Sequence, residues 1–383
     1  MNQKYVPRKI YQLNVIGFLF SSLLIIFLPL VLCQWEHWWT YEGISGPKFW
    51  GRLNRNWILC NIGRRQSPID IDPSSLLFDP MLGPLQLIGD HVNGNLINTG
   101  QGILFKVLHD KHQHGHSNQQ QSSHTGESDS RSVTLIDGPL TYRYTLDHIS
   151  FHYGRNQSKG SEHTIDGSQL PGEIQLYAYN SQLYNSWDEA SNRAHGVVAV
   201  SILLQATLDP NLTNSQLKKL TLALKNITTK GSSHKIESLS IVDLVPDQLR
   251  KQYVTYDGSL TKPACHETVQ WIILNKPIYM TAQLFHSLRM SSSSEPSHNG
   301  DSYRPVQRLN SRPIRTNINF DTNHSPANED NEDGNRRRTN QWTQSGSGNG
   351  SSSSMLKRKQ TCTMKRSVMY KANLQLFKEL TAA

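Results

Sequence analysis

Ile149-Ser150-Phe151-His152-Tyr153-Gly154 is followed by Gly160-Ser161-Glu162-His163-Thr164 and then by Gly172-Glu173-Ile174-Gln175-Leu176. The reading of these three stretches decides the fold. Ile149–Tyr153 and Glu173–Tyr179 alternate in a way that predicts strands. Side chains two apart on a strand share a face, so Ser150 and His152 aim at one site. His148 shares that face but lies about 13 Å from His152 along an extended strand.

Outward from this centre, Asn95–Asn98, Gly102–Leu108, Leu140–Tyr144 and Val197–Leu204 also read as strands, separated by Gly, Asn and Asp turns. Helical signals are few, and Pro246–Tyr253 and Thr281–Leu288 are the better ones. The expected class is α/β, mainly β, with a large mostly antiparallel central sheet and short peripheral helices. Trp35, Trp38, Trp39, Phe49 and Trp50 form an aromatic N-terminal segment of the kind that packs onto a domain. Residues 110–131 break the pattern with a Gln/Ser-rich, His-containing run too poor in apolar residues to join a core. The run reads as a long inserted surface loop. His112, His114 and His116 are spaced so that they could bind Zn²⁺ or Cu²⁺ weakly, although a solvated loop accounts for the same residues.

The ends have a different character. Lys4, Arg8 and Lys9 precede an uncharged apolar run of 18 residues from Val15 to Leu32. That pattern predicts a signal peptide over residues 1–33, with an uncleaved anchor as the rival reading. After cleavage no membrane span is expected. Of the formal charge of +9, the leader carries +3 and residues 331–383 carry +7, which leaves −1 for residues 34–330. A near-neutral central domain gives no reason to expect nucleic-acid binding. Asn, Ser, Gly and charged residues dominate beyond about Phe320, and 321–383 reads as a disordered basic tail. The sequons at Asn156, Asn211, Asn226, Asn323 and Asn349 agree with secretion.

The three opening stretches resemble the alpha-class carbonic anhydrases, whose motifs run Phe-His-Phe-His-Trp-Gly, Gly-Ser-Glu-His and Glu-Leu-His-Leu. Gln66-Ser67-Pro68-Ile69 resembles the family's early strand, and the likeness covers roughly residues 36–318 without the 110–131 insertion. It implies the alpha-carbonic anhydrase fold over residues 34–320. It also implies that the three zinc-ligand positions are Ser150, His152 and Gln175, so that one imidazole of three remains. A hydroxyl and an amide are poor zinc ligands beside imidazole, so no zinc cofactor is expected and His152 is the sole retained ligand position.

The same resemblance places Gln101 at the proton-shuttle position, Tyr177 on the floor that receives CO₂, and Thr261 at the gatekeeping threonine, next to Lys262. Gln101 cannot titrate near neutral pH. Glu162 falls where a glutamate accepts the gatekeeper's hydroxyl proton, and Glu173 where a carboxylate orients the third ligand. Cys60 and Cys265 match the disulfide of extracellular members, a pairing that suits an oxidising compartment.

Within the family, Tyr256-Asp257-Gly258-Ser259-Leu260-Thr261, Asn275-Lys276-Pro277-Ile278-Tyr279 and the Arg304–Asn317 segment look most like the secreted, acatalytic carbonic-anhydrase-related proteins X and XI. That likeness implies an extracellular binding protein rather than an enzyme, with a cell-surface partner of the neurexin type. The alternatives are a zinc enzyme with residual CO₂ hydration activity and a metal-buffering protein using the 110–131 histidines. Cys362, in the tail, is a candidate for an intermolecular disulfide, with pairing to Cys33 as the rival. An intermolecular link predicts a reduction-sensitive slow band on electrophoresis that Cys362→Ser abolishes. Identical mobility of the two proteins counts against it.

Overall fold

The computed structural model describes residues 38–109, 132–156, 158–291 and 300–320. The leader, the 110–131 insertion, the tail beyond 320, Cys33, Cys362, Asn323 and Asn349 lie outside them. No helix among the described residues is long and apolar enough to cross a membrane.

The molecule is built on one large sheet. Its eight longest principal strands are β1 (His91–Asn98), β2 (Ile103–Val107), β3 (Tyr144–Tyr153), β4 (Gly172–Asn180), β5 (Val197–Thr207), β6 (Ser233–Ser240), β7 (Tyr253–Gly258) and β8 (Val269–Leu274). They lie in the order β6-β1-β2-β3-β4-β5-β8-β7, continued by the short pairs Arg315–Thr316 and Leu77–Phe78. Neighbours among the eight run antiparallel except β5 and β8, which are parallel.

Burial follows from the sequences. Val197–Thr207 is almost continuously apolar, as a central strand covered on both faces requires. β1 alternates between buried and part-exposed positions because it lies near the edge. On one side of the sheet Ile149, Phe151, Ile174, Leu176, Val200 and Ile202 pack with Leu217, Leu220, Phe285 and Leu288 from the helices Ser215–Ala223 and Ala282–Ser291. On the other side Tyr177, Ala199, Leu203, Tyr256 and Trp271 form a smaller core with Ile69 and Ile71.

Between β3 and β4 the chain folds tightly on itself. A Cβ at Gly154 would run into the Lys159 carbonyl, and one at Gly160 into the Pro171 carbonyl. Both glycines of the motif are therefore required by close backbone approach.

The expected helix at 281–288 is present as Ala282–Ser291, while that at 246–253 shrinks to Asp247–Arg250 because Tyr253 already opens β7. The expected strand Leu140–Tyr144 is corrected. The strand is Thr134–Asp137, and Asp137 and Gly138, both at positive φ, turn the chain before Tyr144 opens β3. The helix Ser215–Ala223 had not been anticipated, although Asn214 caps it by accepting from the Gln216 and Leu217 amides.

Of the N-terminal aromatics, Trp39 and Trp50 pack onto the domain as expected, Trp38 and Phe49 are exposed, and Trp35 lies outside the described residues. Trp39, Tyr41 and Trp50 meet edge to face at 5.2–5.8 Å beside the Cys60–Cys265 disulfide, whose Cα atoms are 5.1 Å apart. The bridge closes a loop of 205 residues. Chain entropy alone gives such a loop a stabilisation of roughly 5 kcal/mol. A Cys60→Ser/Cys265→Ser variant is expected to lose several kcal/mol in denaturant unfolding, and an unchanged midpoint would remove the bridge from the stability account.

Candidate functional site

Strand register assembles the site. Ser150 on β3 lies opposite Gln175 on β4, and Gln175 lies opposite Ser201 on β5. Two pairs along, His152 faces Glu173. The three positions read from the sequence are thus brought onto one sheet face, and all are essentially inaccessible to solvent.

Each side chain is already engaged. The Gln175 amide donates to Glu162 Oε2 and to Glu173 Oε1, both at 2.8 Å, and Gln175 Oε1 accepts from the Tyr177 hydroxyl at 2.7 Å. The Ser150 hydroxyl accepts from the Lys262 ammonium at 3.0 Å. His152 Nδ1 donates to the Ser302 carbonyl at 2.6 Å, with Glu162 Oε1 3.5 Å away. That bond assigns the remaining His152 proton to Nδ1 and leaves Nε2, which has no hydrogen-bond partner, as a bare lone pair.

Glu173 is the hub. It accepts from the backbone amides of Glu162 and His163, from His163 Nδ1, from Ser201 and from Gln175. Burial by itself would raise its pKa. The His163 imidazole at 2.8 Å, aided by His152 and the Gln175 amide, overcomes burial and pulls it down to about 2. His163 Nε2 in turn meets the Tyr256 hydroxyl at 2.8 Å, and Tyr256 reaches Ser67 at 2.9 Å.

Two expected contacts differ. Glu162 receives the Gln175 amide and the Arg304 backbone N–H, not the Thr261 hydroxyl, which is buried without a hydrogen bond. Thr261 instead lies close enough to the Tyr177 phenol to temper a pKa that burial, and then Glu162, push well above the ordinary value. Gln101 is not gathered into this cluster. Its amide reaches the Trp39 carbonyl at 3.4 Å and lines a groove of about 400 Å³ with Thr40–Ser45 and Gly300–Ser302.

A second cluster had no sequence signal. β3 pairs Tyr177 with His148 but Ala178 with Leu146, which leaves Asp147 as the extra residue of a β-bulge. Asp147 accepts from Lys106 at 2.6 Å and pairs with His148 Nδ1 at 2.7 Å. His148 stacks on Tyr177 at 4.8 Å and meets Trp187 edge-on. Burial lowers the His148 pKa, with Lys262 and Lys106 adding to the shift against Asp147. Arg304 was likewise unanticipated as a buried group. Its guanidinium donates to Gln66, to the Ser67 carbonyl and to the Cys60 carbonyl, over the Trp50 ring.

With this geometry in hand, comparison with known proteins is informative. The model of the eukaryotic-type carbonic anhydrase family matches residues 45–318. The chain belongs to that family. It is 38% identical over 295 residues to carbonic anhydrase-like protein 2 of Caenorhabditis elegans, covering 74% of this chain and 80% of the relative. Carbonic anhydrase-like protein 1 of the same organism is 31% identical over 352 residues, covering 73% and 90%. The large mixed sheet with few short helices is the carbonic anhydrase architecture.

Family membership raises the question of zinc, and the donor set does not fit it. Zinc in a catalytic site takes three protein ligands and leaves one position for water. Here the Ser150 and Gln175 oxygens accept hydrogen bonds from Lys262 and Tyr177, and a lysine ammonium points at one ligand position. Of the three positions, only His152 supplies an imidazole nitrogen, and its Nε2 has no hydrogen bond.

Glu173 gives the site a testable pH signature. Its folded pKa lies below the ordinary value of 4.5, so its contribution is complete above pH 4.5 and is lost as pH falls toward 2. Glu173→Gln is expected to cost about 3 kcal/mol at pH 7. It should also flatten the acid limb of the stability profile between about pH 4.5 and 2. A variant that keeps the wild-type slope there would show that another group carries it.

Proposed function

We propose that this carbonic anhydrase-related chain is an acatalytic, secreted binding protein that acts through its outer surface on an extracellular or cell-surface protein, a neurexin-type receptor being the class the sequence resemblance favours. The observation that supports this most is the Lys262–Ser150 hydrogen bond at 3.0 Å, which places a lysine nitrogen, a donor and not an open space, against a zinc-ligand position of the resemblance. The closed Gln175 network, with donors and acceptor all used, supports it as well.

Several features agree with an extracellular setting. The Cys60–Cys265 bridge is a disulfide of the kind kept in oxidising compartments. Asn156, Asn211 and Asn226 are exposed, so their sequons are open to glycosylation. The leader over residues 1–33, the domain over 34–320 and the basic tail over 321–383 complete the proposed organisation. His112, His114 and His116, on which the metal-buffering alternative rests, lie outside the described residues.

Metal analysis and CO₂ hydration assays of purified full-length protein test the catalytic half of the proposal. The expected result is well under one equivalent of zinc and no hydration above background. One equivalent of zinc with measurable turnover would establish the residual enzyme instead. Affinity capture from cell-surface extracts, read against the same protein with its surface loops substituted, tests the binding half.

A further inference from the structure

Four arginines gather around Gln66. Arg304 donates to its side-chain oxygen at 2.9 Å and Arg312 to its backbone carbonyl at 2.8 Å, while Arg64 and Arg65 directly precede it in the chain. The arginine ion pairs among the described residues belong to Arg65, Arg155, Arg250 and Arg315, so Arg64, Arg304 and Arg312 have none. Arg312 donates to four backbone carbonyls, those of Gln66, Asp257, Arg308 and Leu309. Neutral partners satisfy its N–H groups and leave its charge uncompensated. Glu267 is the carboxylate that meets the group, through the Arg65 amide at 2.6 Å, the Gln66 side chain at 2.9 Å and the Arg65 guanidinium at 3.8 Å. A local surplus of positive charge remains, and such a surface favours an anionic partner.

Three of these arginines line an open groove in two connected parts. The wider part, about 740 Å³, has Arg64, Arg65 and Arg312 on its walls with the Asn310–Ser311 turn. The narrower part, about 350 Å³, is floored by Pro139, Leu140 and Tyr142, all half-buried, and by Val269. Arg65 and Asp257 line both parts. Asn310 and Ser311 both hold positive φ, at 52° and 59°, and the Asn310 side chain donates to the Arg64 carbonyl at 2.9 Å. The turn that forms the wall is thus tied to the arginine segment that faces it.

We propose that this groove binds an acidic peptide segment of a partner protein, taking its carboxylates against Arg64 and Arg65 and an apolar side chain against Leu140 and Tyr142. A guanidinium matches a carboxylate in a two-pronged contact. Arg64 is exposed and has no ion pair to give up. Arg312 adds a fixed field from behind. Asp257 and Glu267 also line the groove, and they oppose a dense uniform polyanion such as a sulfated polysaccharide. A peptide meets them with its backbone N–H groups, and the apolar floor beside the arginines gives one of its side chains a place to bury. A peptide-binding groove presupposes the binding role proposed for the chain, to which it adds a surface and a partner chemistry.

The test uses full-length protein and an array of short labelled peptides that carry Asp and Glu around a central Leu, Phe or Tyr. Fluorescence polarisation is expected to show binding that weakens as salt rises. Arg64→Glu is expected to weaken the best peptide at least ~10-fold, about 1.4 kcal/mol, whereas Arg55→Glu, at an exposed arginine outside the groove, changes it less than ~2-fold. Replacing the peptide's central residue by Ser is expected to cost about 10-fold as well. Arg64→Ala, with a smaller loss in the same direction, covers the case in which the charge reversal disturbs folding. Binding no better than that of lysine-containing control peptides, equal losses in Arg64→Glu and Arg55→Glu, or indifference to the Ser replacement overturns the proposal. So does a heparin oligosaccharide that binds more tightly than every peptide with the same dependence on Arg64, which assigns the groove to a sulfated sugar. Cell-surface capture that proceeds equally with wild type and Arg64→Glu removes the groove and leaves the binding role standing.

Discussion

A carboxylate with zero solvent exposure is tolerable only if every oxygen lone pair is used, and Glu173 meets that condition with five donors. The rest of the site depends on it. Two of those donors are successive backbone amides, at Glu162 and His163, so Glu173 fixes the tight segment between β3 and β4 against β4 itself. A third, Ser201, ties β4 to β5. The His163 ring carries the chain of contacts onward to Tyr256 on β7 and to Ser67 in the N-terminal segment. One buried charge therefore holds together elements that are about 190 residues apart in sequence, and none of these contacts involves a metal.

Gln175 is built into the same network. It supplies two N–H groups to two carboxylates and its oxygen to a phenol, which uses both donors and engages the acceptor. Tyr177 fits the same logic, because its buried hydroxyl needs an acceptor and Gln175 Oε1 provides one. The pair is self-consistent in a way that an imidazole at 175 beside a phenol at 177 would not be. Substitution at one position makes the other affordable. His152 is the exception, since its Nδ1 proton is held by Ser302 while Nε2 has nothing to meet.

Much of this could be read in the chain before any coordinates. The Ile149–Gly154 and Gly172–Leu176 stretches carried both the strand pattern and the ligand positions, because two-residue periodicity fixes which side chains share a face. What stayed hidden depends on register and distance. The bulge at Asp147 displaces the pairing of β3 and β4 by one residue, and nothing in Leu146-Asp147-His148 announces that Asp147 would turn inward toward Lys106. Thr134–Asp137 was missed for a related reason: the turn falls at Asp137-Gly138, before Leu140 and not after Tyr144. Arg304 is fully buried yet sits in a run of polar and Pro residues that reads as a surface segment. The Gln66 side chain and the carbonyls of Cys60 and Ser67, more than 230 residues away in sequence, explain its burial.

Ser302 links the closed interior to the outside. Its carbonyl holds His152, its hydroxyl exchanges hydrogen bonds with the Tyr153 backbone, and it lines the groove that Gln101 shares with Thr40–Ser45. The groove is therefore built on the same strand end as His152, but opens to solvent where the buried imidazole does not. Its far wall is fastened by the Arg155–Glu42 ion pair and by Asp301, which accepts from the Arg155 amide. Gln101, bonded through its amide to the Trp39 carbonyl, adds a hydrogen-bonding side chain to a groove that Glu42 and Asp301 also line. Ser302 is thus shared between the interior and the groove, with its carbonyl on the buried imidazole and its residue in the groove lining.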